Sequence, residues 1–124
     1  PDEWHRQLFR QDTCHPEHDA RHEKIETLQW NIAATALGHG LDVILDFGFW
    51  KRRERRQFHN QATQLGARTK IHFMDVAFDE LLSRLEVRNQ QHPELVTQIP
   101  LSKMNDYVQQ FEAPDETEWA LYNS

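Results

Sequence analysis

The stretch that decides the fold is LDVILDFGFWKRRERRQF, residues 41–58. In this stretch an apolar run reaches Asp46, passes Gly-Phe-Trp, and changes at once into a group of basic residues. A short apolar run with β-branched residues is typical of a buried strand, which we assign to residues 42–47. The apolar residues that follow recur at helical spacing up to Gly66, and they predict a helix of about a dozen residues.

Outward from this stretch, helix-like and strand-like segments alternate. Residues from about 17 to 38 carry apolar side chains at roughly helical spacing and end at Gly38, which predicts a long helix. Residues 68–76 are the second predicted strand, and further helices are predicted from Phe78 and from Met104. Because each connection is too long for a hairpin, the order favours an α/β fold, with a short parallel sheet flanked by helices.

The composition limits the class of protein. A chain of 124 residues with 38% hydrophobic content predicts a single domain, residues 1–124. The formal net charge of -6 argues against bulk binding to nucleic acid or to an anionic membrane. The one cysteine, Cys14, excludes an internal disulfide, and the sequence shows neither a long apolar span nor a signal peptide. We therefore expect a cytoplasmic protein.

Aspartates follow both predicted strands. Ligands of parallel sheets bind outside the carboxyl ends of the strands, which places Asp46 and Asp75 on one rim. An aspartate there can hold water on Mg²⁺, and nearby arginines can bind phosphates. Alternatively, Asp46 caps the following helix or pairs with an arginine, while KRRERR is a solvated helix face supported by Glu54. The spacing alone leaves both interpretations open.

Four segments carry a resemblance to a known family: the opening PDEW, VILDFGFWKRRER, GARTKIHFMDVAFDELLSRLEVRN and the terminal FEAPDETEWALYN. Together they resemble the small AAA-type P-loop kinases, whose relatives include chloramphenicol phosphotransferase, zeta-type toxin kinases and polynucleotide kinase. The resemblance covers essentially the whole chain. It implies a partial P-loop NTPase-like layer and the ATP-dependent transfer of a phosphoryl group to a hydroxyl of a small molecule or nucleotide.

The resemblance also implies roles for individual residues. Asp2 corresponds to a general base on the acceptor hydroxyl, and Asp46 to a magnesium-associated residue. Arg84 and Arg88 resemble lid arginines that close on the transferred phosphate. Residues four apart project from one helix face, so two guanidinium groups can neutralise the charge that spreads over the phosphoryl oxygens.

Three further residues are assigned to cofactor binding. Arg52 and Arg55 match basic positions of the family after the aromatic turn, which implies a contact with substrate or phosphate. Trp50 stands at the predicted ligand rim and can stack on adenine or on a substrate ring. Packing in the core is the more frequent role of a tryptophan, and this alternative stays open.

The chain departs from the family in one respect. The kinases begin with a strand and a G-x-x-x-x-G-K-[S/T] loop whose backbone amides hold the phosphates. None of the four glycines of this sequence is followed by lysine, so the Walker A strand and loop are absent from these residues. We expect ATP and Mg²⁺ to be cofactors of the complete domain, and this chain alone to be inactive.

The missing strand has a structural consequence. The sequence begins with Pro1 and not with methionine, and it represents either a truncated chain or a natural remnant of a kinase. Exposed strand edges recruit partners, so we expect a homodimer. A second function is therefore a non-catalytic, dimeric α/β binding or interaction protein derived from such a kinase.

A compact group of possible metal ligands lies before the long helix. It contains Cys14, His15, His18 and His22. His18 and His22 are four residues apart and can bind one metal ion if the helix already includes both. The charged neighbours of these residues favour the alternative, a solvated helix start.

Overall fold

The computed structural model describes residues 1–10, 15–91 and 98–122. The described residues form six α-helices and one short 3-10 helix, Leu101–Lys103. The α-helices are α1 Asp2–Phe9, α2 His18–Gly38, α3 Arg52–Gln64, α4 Phe78–Gln91, α5 Met104–Gln110 and α6 Glu116–Tyr122.

The four helices predicted from apolar spacing are confirmed as α2, α3, α4 and α5. Gly66 ends the α3 region as the pattern predicts. Its φ of 80° lies in the left-handed region that favours glycine, and its backbone N–H donates to the carbonyl of Thr63. The remaining helices, α1 and α6, are only 8 and 7 residues long and were not predicted.

The predicted parallel sheet is wrong, because no strand occurs in the part of the chain that the structure describes. Residues 42–47 and 68–76 are neither helical nor paired. Burial still alternates along the first segment: Val43 and Leu45 are partly covered, whereas Ile44 between them is 95% exposed. The side-chain pattern is that of a strand, but a strand also needs a neighbouring backbone to complete its hydrogen bonds.

The chain divides into two compact units. Unit 1 contains Pro1–Gln29 and Asp75–Tyr107, and unit 2 contains Trp30–Met74 and Val108–Ser124. The single domain expected from the length stays a prediction. Among the described helices, none is long and apolar enough to cross a membrane.

Each unit has its own buried residues. In unit 1, His5, Ile25 and Leu85 are at most 7% exposed. In unit 2, the ring of Phe58 makes edge-on contacts with three aromatic rings at centroid distances of 5.3 to 5.5 Å. These rings belong to Trp30, Phe47 and Phe49. The predicted strand 42–47 and the turn after it are therefore anchored to α3 by aromatic packing.

Candidate functional site

The Gly-Phe-Trp turn of unit 2 is tightly built. A Cβ atom at Gly48 would lie 2.8 Å from both Cδ1 and Nε1 of Trp50, so the indole occupies the space of a side chain at residue 48. Phe49 has a φ of 46°, an uncommon conformation for a residue with a side chain. Its carbonyl accepts a hydrogen bond of 2.8 Å from Nη1 of Arg55. The turn is thus fixed by its own tryptophan and by an arginine of α3.

Arg55 forms a buried ion pair with Glu118 of α6. Its Nε and Nη2 atoms donate to the two carboxylate oxygens at 2.9 and 2.8 Å, and the two side chains are only 3% and 5% exposed. The hydrogen bonds from Arg55 lower the pKa of Glu118, and those to Glu118 raise the pKa of Arg55. This two-bond geometry fixes α6 against α3.

Arg52 makes a second, more exposed set of contacts. Its guanidinium pairs with Asp115, its Nε lies 3.4 Å from Glu118, and its backbone N–H donates to Glu112 at 2.8 Å. Hydrogen bonds from the Thr117 hydroxyl, the Glu118 backbone N–H and Arg52 lower the pKa of Asp115 to about 2. The Arg52 side chain nevertheless stays 48% exposed.

We call these residues the arginine–acid cluster: Lys51, Arg52, Arg55, Glu112, Asp115 and Glu118. Both arginines that were predicted to contact a cofactor are paired here with acids of the same chain. The acidic partners were missed in the sequence, although the acid-rich segment 112–118 was the available signal. The cofactor contacts of Arg52 and Arg55 stay predictions.

Asp46 differs from the acids of the arginine–acid cluster because its carboxylate has no partner among the described residues. The side chain is exposed and makes no hydrogen bond or ion pair with the described residues. The alternative that Asp46 caps α3 is not what the structure shows, since Lys51 is the N-cap residue. The Lys51 backbone N–H donates to the Glu54 carboxylate at 3.1 Å. Glu54 therefore stabilises the start of α3, which agrees with the part of the alternative that concerned Glu54.

The other basic residues of the KRRERR segment form an exposed face of α3. Arg53 and Arg56 line an open groove of about 360 Å³ together with carboxamide side chains. The carboxamides belong to Gln57, Asn60, Gln61 and Gln64. This face is solvated, in agreement with the second interpretation of the segment.

The remaining predicted site residues belong to unit 1. Asp2 is exposed in the first turn of α1. Arg84 and Arg88 are exposed on α4, on either side of the buried Leu85, and Nε of Arg84 donates to Glu80 at 2.7 Å. Asp46 belongs to unit 2.

Asn89 holds the end of α4. Its Nδ2 donates to the carbonyl of Ile99 at 3.0 Å, which ties the helix to the segment before the 3-10 turn. The arginines of α4 therefore project from a helix with a fixed C-terminal end.

The histidines before and within α2 do not form a solvated start. The rings of His18 and His22 are half-buried and lie beside His5 of α1. Among the described residues, no group of three or more potential ligands is arranged to hold a metal ion. Cys14, the remaining member of the predicted group, lies outside the described residues.

A comparison with protein-family models assigns the chain to a family. The chain belongs to the AAA domain family, whose model matches residues 1–114. Comparisons with curated proteins and with solved structures gave no match.

Proposed function

We propose that this chain is part of an ATP-dependent phosphotransferase that acts on a hydroxyl group of a small molecule or nucleotide. The observation that carries the proposal is the family match over residues 1–114, which includes every residue given a role below. Membership of the AAA domain family supports a P-loop kinase-like, nucleotide-binding function, and we propose a hydroxyl group as the acceptor.

The arginines of α4 supply the electrostatic part of the reaction. Arg84 and Arg88 stand one helical turn apart on the exposed side of the helix. During phosphoryl transfer, negative charge spreads over the oxygens of the moving group, and fixed guanidinium groups stabilise it. Glu80 bonds to Arg84 and limits its rotamers before a ligand arrives.

Two carboxylates have separate roles. Asp2, exposed at the start of α1, accepts the proton of the acceptor hydroxyl. Asp46 is suited to Mg²⁺, because its exposed carboxylate has no partner among the described residues and hard oxygen ligands are those that Mg²⁺ prefers. When bound, the metal ion would supply neutralising charge beside the phosphates.

Within and beside the arginine–acid cluster, the residues predicted to contact a cofactor have two different roles. Arg52 is half-exposed, so part of its side chain can contact a phosphate. The ring of Trp50 is partly covered, and its accessible part can contact a base or a substrate ring. Arg55 is buried with Glu118 and bonded to Phe49, so it acts by positioning the turn that carries Trp50. We therefore assign Arg55 a positioning role in the proposed site.

The 124 residues do not fit the phosphates of ATP by themselves. A cradle of successive backbone amides needs a glycine-rich loop, and no G-x-x-x-x-G-K-[S/T] sequence occurs here. We therefore expect the chain to need that loop for activity.

Two measurements test the proposal. Calorimetry of the 124-residue chain with Mg-ATP is expected to show no binding in the micromolar range, and clear binding would contradict the need for the loop. A polypeptide extended by the in-frame upstream coding sequence is then assayed for phosphotransfer to nucleoside and small-molecule hydroxyls. If that sequence encodes the loop, activity is expected; if the extended polypeptide is inactive, the proposal fails.

The Arg88→Ala variant of the active polypeptide tests the lid assignment. Turnover is expected to fall by a factor of about 100 or more, with an unchanged unfolding midpoint. Arg53→Ala is the matched control, since Arg53 is an exposed arginine of the α3 groove, and it should keep normal turnover. An Arg88→Ala variant that unfolds but retains its specific activity would make Arg88 a structural residue.

A second candidate function is a non-catalytic interaction protein. It is favoured by the exposed apolar side chains of the two unpaired segments, with Ile44 95% and Met74 78% exposed. An upstream coding sequence without the loop, together with self-association of the chain, would support this function in place of the first.

A further inference from the structure

We propose that His5, His18 and His22 form an acid-sensitive latch that holds helix α1 against α2 and releases it when the cluster takes up a second proton. His5 comes from α1 and is 2% exposed, whereas His18 and His22 come from α2. The ring centroid of His5 lies 4.3 Å from that of His18 and 6.3 Å from that of His22. The two α2 rings stack at 5.6 Å.

Unmet ring nitrogens make this cluster unusual for buried polar groups. Nε2 of His5 and Nδ1 of His22 are buried and have no hydrogen-bond partner among the described residues. Most buried polar atoms of native proteins are hydrogen-bonded. A proton that arrives on Nε2 of His5 therefore adds a buried charge without completing a bond to the described residues.

The first proton that the cluster takes up is stabilised by a neighbouring carboxylate. The Glu26 carboxylate lies 3.3 Å from Nε2 of His22. Its hydrogen bond raises the pKa of His22, against the opposing effect of burial, and the charge of Asp2 acts in the same direction as Glu26. The first proton thus goes to His22.

A second proton, taken up by His5, is not stabilised in this way. Burial is the largest cause that lowers the pKa of His5, and electrostatic interactions with His18, His22 and Arg21 lower it further. Only Asp2 acts in the opposite direction. Protonated His5 would be a buried cation beside an already charged His22, and separation of α1 from α2 relieves both costs.

The sign of the pH effect follows from these directions. The folded state disfavours protonated His5, so its contribution to stability is complete above the ordinary histidine pKa of about 6.5 and is lost as the pH falls below that value. The contribution of His22 has the opposite sign and is complete below about pH 6.5. Acid release is therefore due to His5.

The residue Trp4 reports on α1 because it lies on that helix and is 39% exposed. The intact chain is labelled with 5-fluorotryptophan and followed by fluorine NMR from about pH 7.5 to about pH 5. The Trp4 resonance is expected to shift with a midpoint below 6.5, while that of Trp30 in unit 2 stays in place. Proton NMR of the same sample is expected to show that His5 titrates at a lower pH than His22.

Three variants separate the latch from a general acid effect. His5→Phe keeps an aromatic ring and should abolish the Trp4 shift. Glu26→Gln removes the neutralising carboxylate, so the midpoint should move to higher pH. His39→Phe, at an exposed histidine after α2, should change neither.

Two results would overturn the latch. One is a Trp4 shift that persists unchanged in His5→Phe, and the other is a His5 that titrates above His22 in the unaltered chain. The histidine titration of the unaltered chain decides the question even when the His5→Phe variant does not fold.

Discussion

At position 48 a neighbouring indole, rather than the backbone conformation, requires a glycine. Gly48→Ala would place a methyl group 2.8 Å from two ring atoms of Trp50, and this ring must then move. We expect a loss of about 1 kcal/mol in the free energy of unfolding, the low end for overpacking because Trp50 is only partly buried. Urea unfolding gives the loss, and near-ultraviolet circular dichroism reports the displaced indole.

Gly38→Ala is the matched control for this variant. Nothing lies within 4 Å of a Cβ atom at Gly38, the last residue of α2, and alanine favours the helix. Stability should be unchanged or slightly higher. Equal losses in the two variants would show that glycine at residue 48 has no specific role.

Local sequence indicates which candidate residues are exposed, but it does not indicate which residues they contact. The exposure of Arg84 and Arg88 follows from helical spacing. The partner of Arg55 could not be predicted in this way, because Glu118 is 63 residues further along the chain. An ion pair over that separation depends on the tertiary structure, which no spacing rule contains.

The same difference between local and long-range information holds for whole elements. The helices α2 to α5 were predictable because each has apolar side chains at helical spacing over two turns or more. Helix α6 has seven residues, as α5 does, but its apolar residues are consecutive, and its position is set by the contacts of Glu118 and Asp115 with α3. Residues 42–47 and 68–76 have the alternation of strands, but their sequence does not supply the neighbour with which a strand pairs.

The pairing of α6 with α3 gives a test at the level of elements. Arg55→Met removes one partner of a buried ion pair and leaves Glu118 with the more distant, 3.4 Å contact to Arg52. We expect a loss of about 3 kcal/mol in the free energy of unfolding, and recovery of much of it in the double variant Arg55→Met/Glu118→Leu. Urea unfolding of the single and double variants measures both quantities.

Arg56→Met serves as the control, because Arg56 is an exposed neighbour on α3 and its loss should change stability little. A double variant that is less stable than Arg55→Met would contradict the assignment, since it would mean that Glu118 stabilises the fold without its arginine.

The whole molecule exposes apolar surface along its unpaired segments. Ile44 is 95% exposed and Met74 is 78% exposed, while the edges of both segments lack backbone partners among the described residues. We expect the chain to self-associate as its concentration rises, and Ile44→Glu to weaken that association at least about tenfold. Sedimentation velocity over a range of concentrations measures this shift.

Val87→Glu tests whether any added charge has the same effect, because Val87 is 47% exposed on α4 and outside the unpaired segments. We expect this variant to self-associate as strongly as the unaltered chain. A chain that stays monomeric at all concentrations would refute the predicted homodimer.

The ion pairs between α3 and the segment 112–118 also order events during protein synthesis. The acidic partners of Arg52 and Arg55 are translated about sixty residues after these arginines. Until those acids are synthesised, the two arginines of the nascent chain have no ion-pair partner in the segment 112–118. Closing so long a loop costs more entropy than closing a helical turn, which makes α6 a late arrival in folding. We therefore expect unit 2 to be completed only after segment 112–118 has left the ribosome.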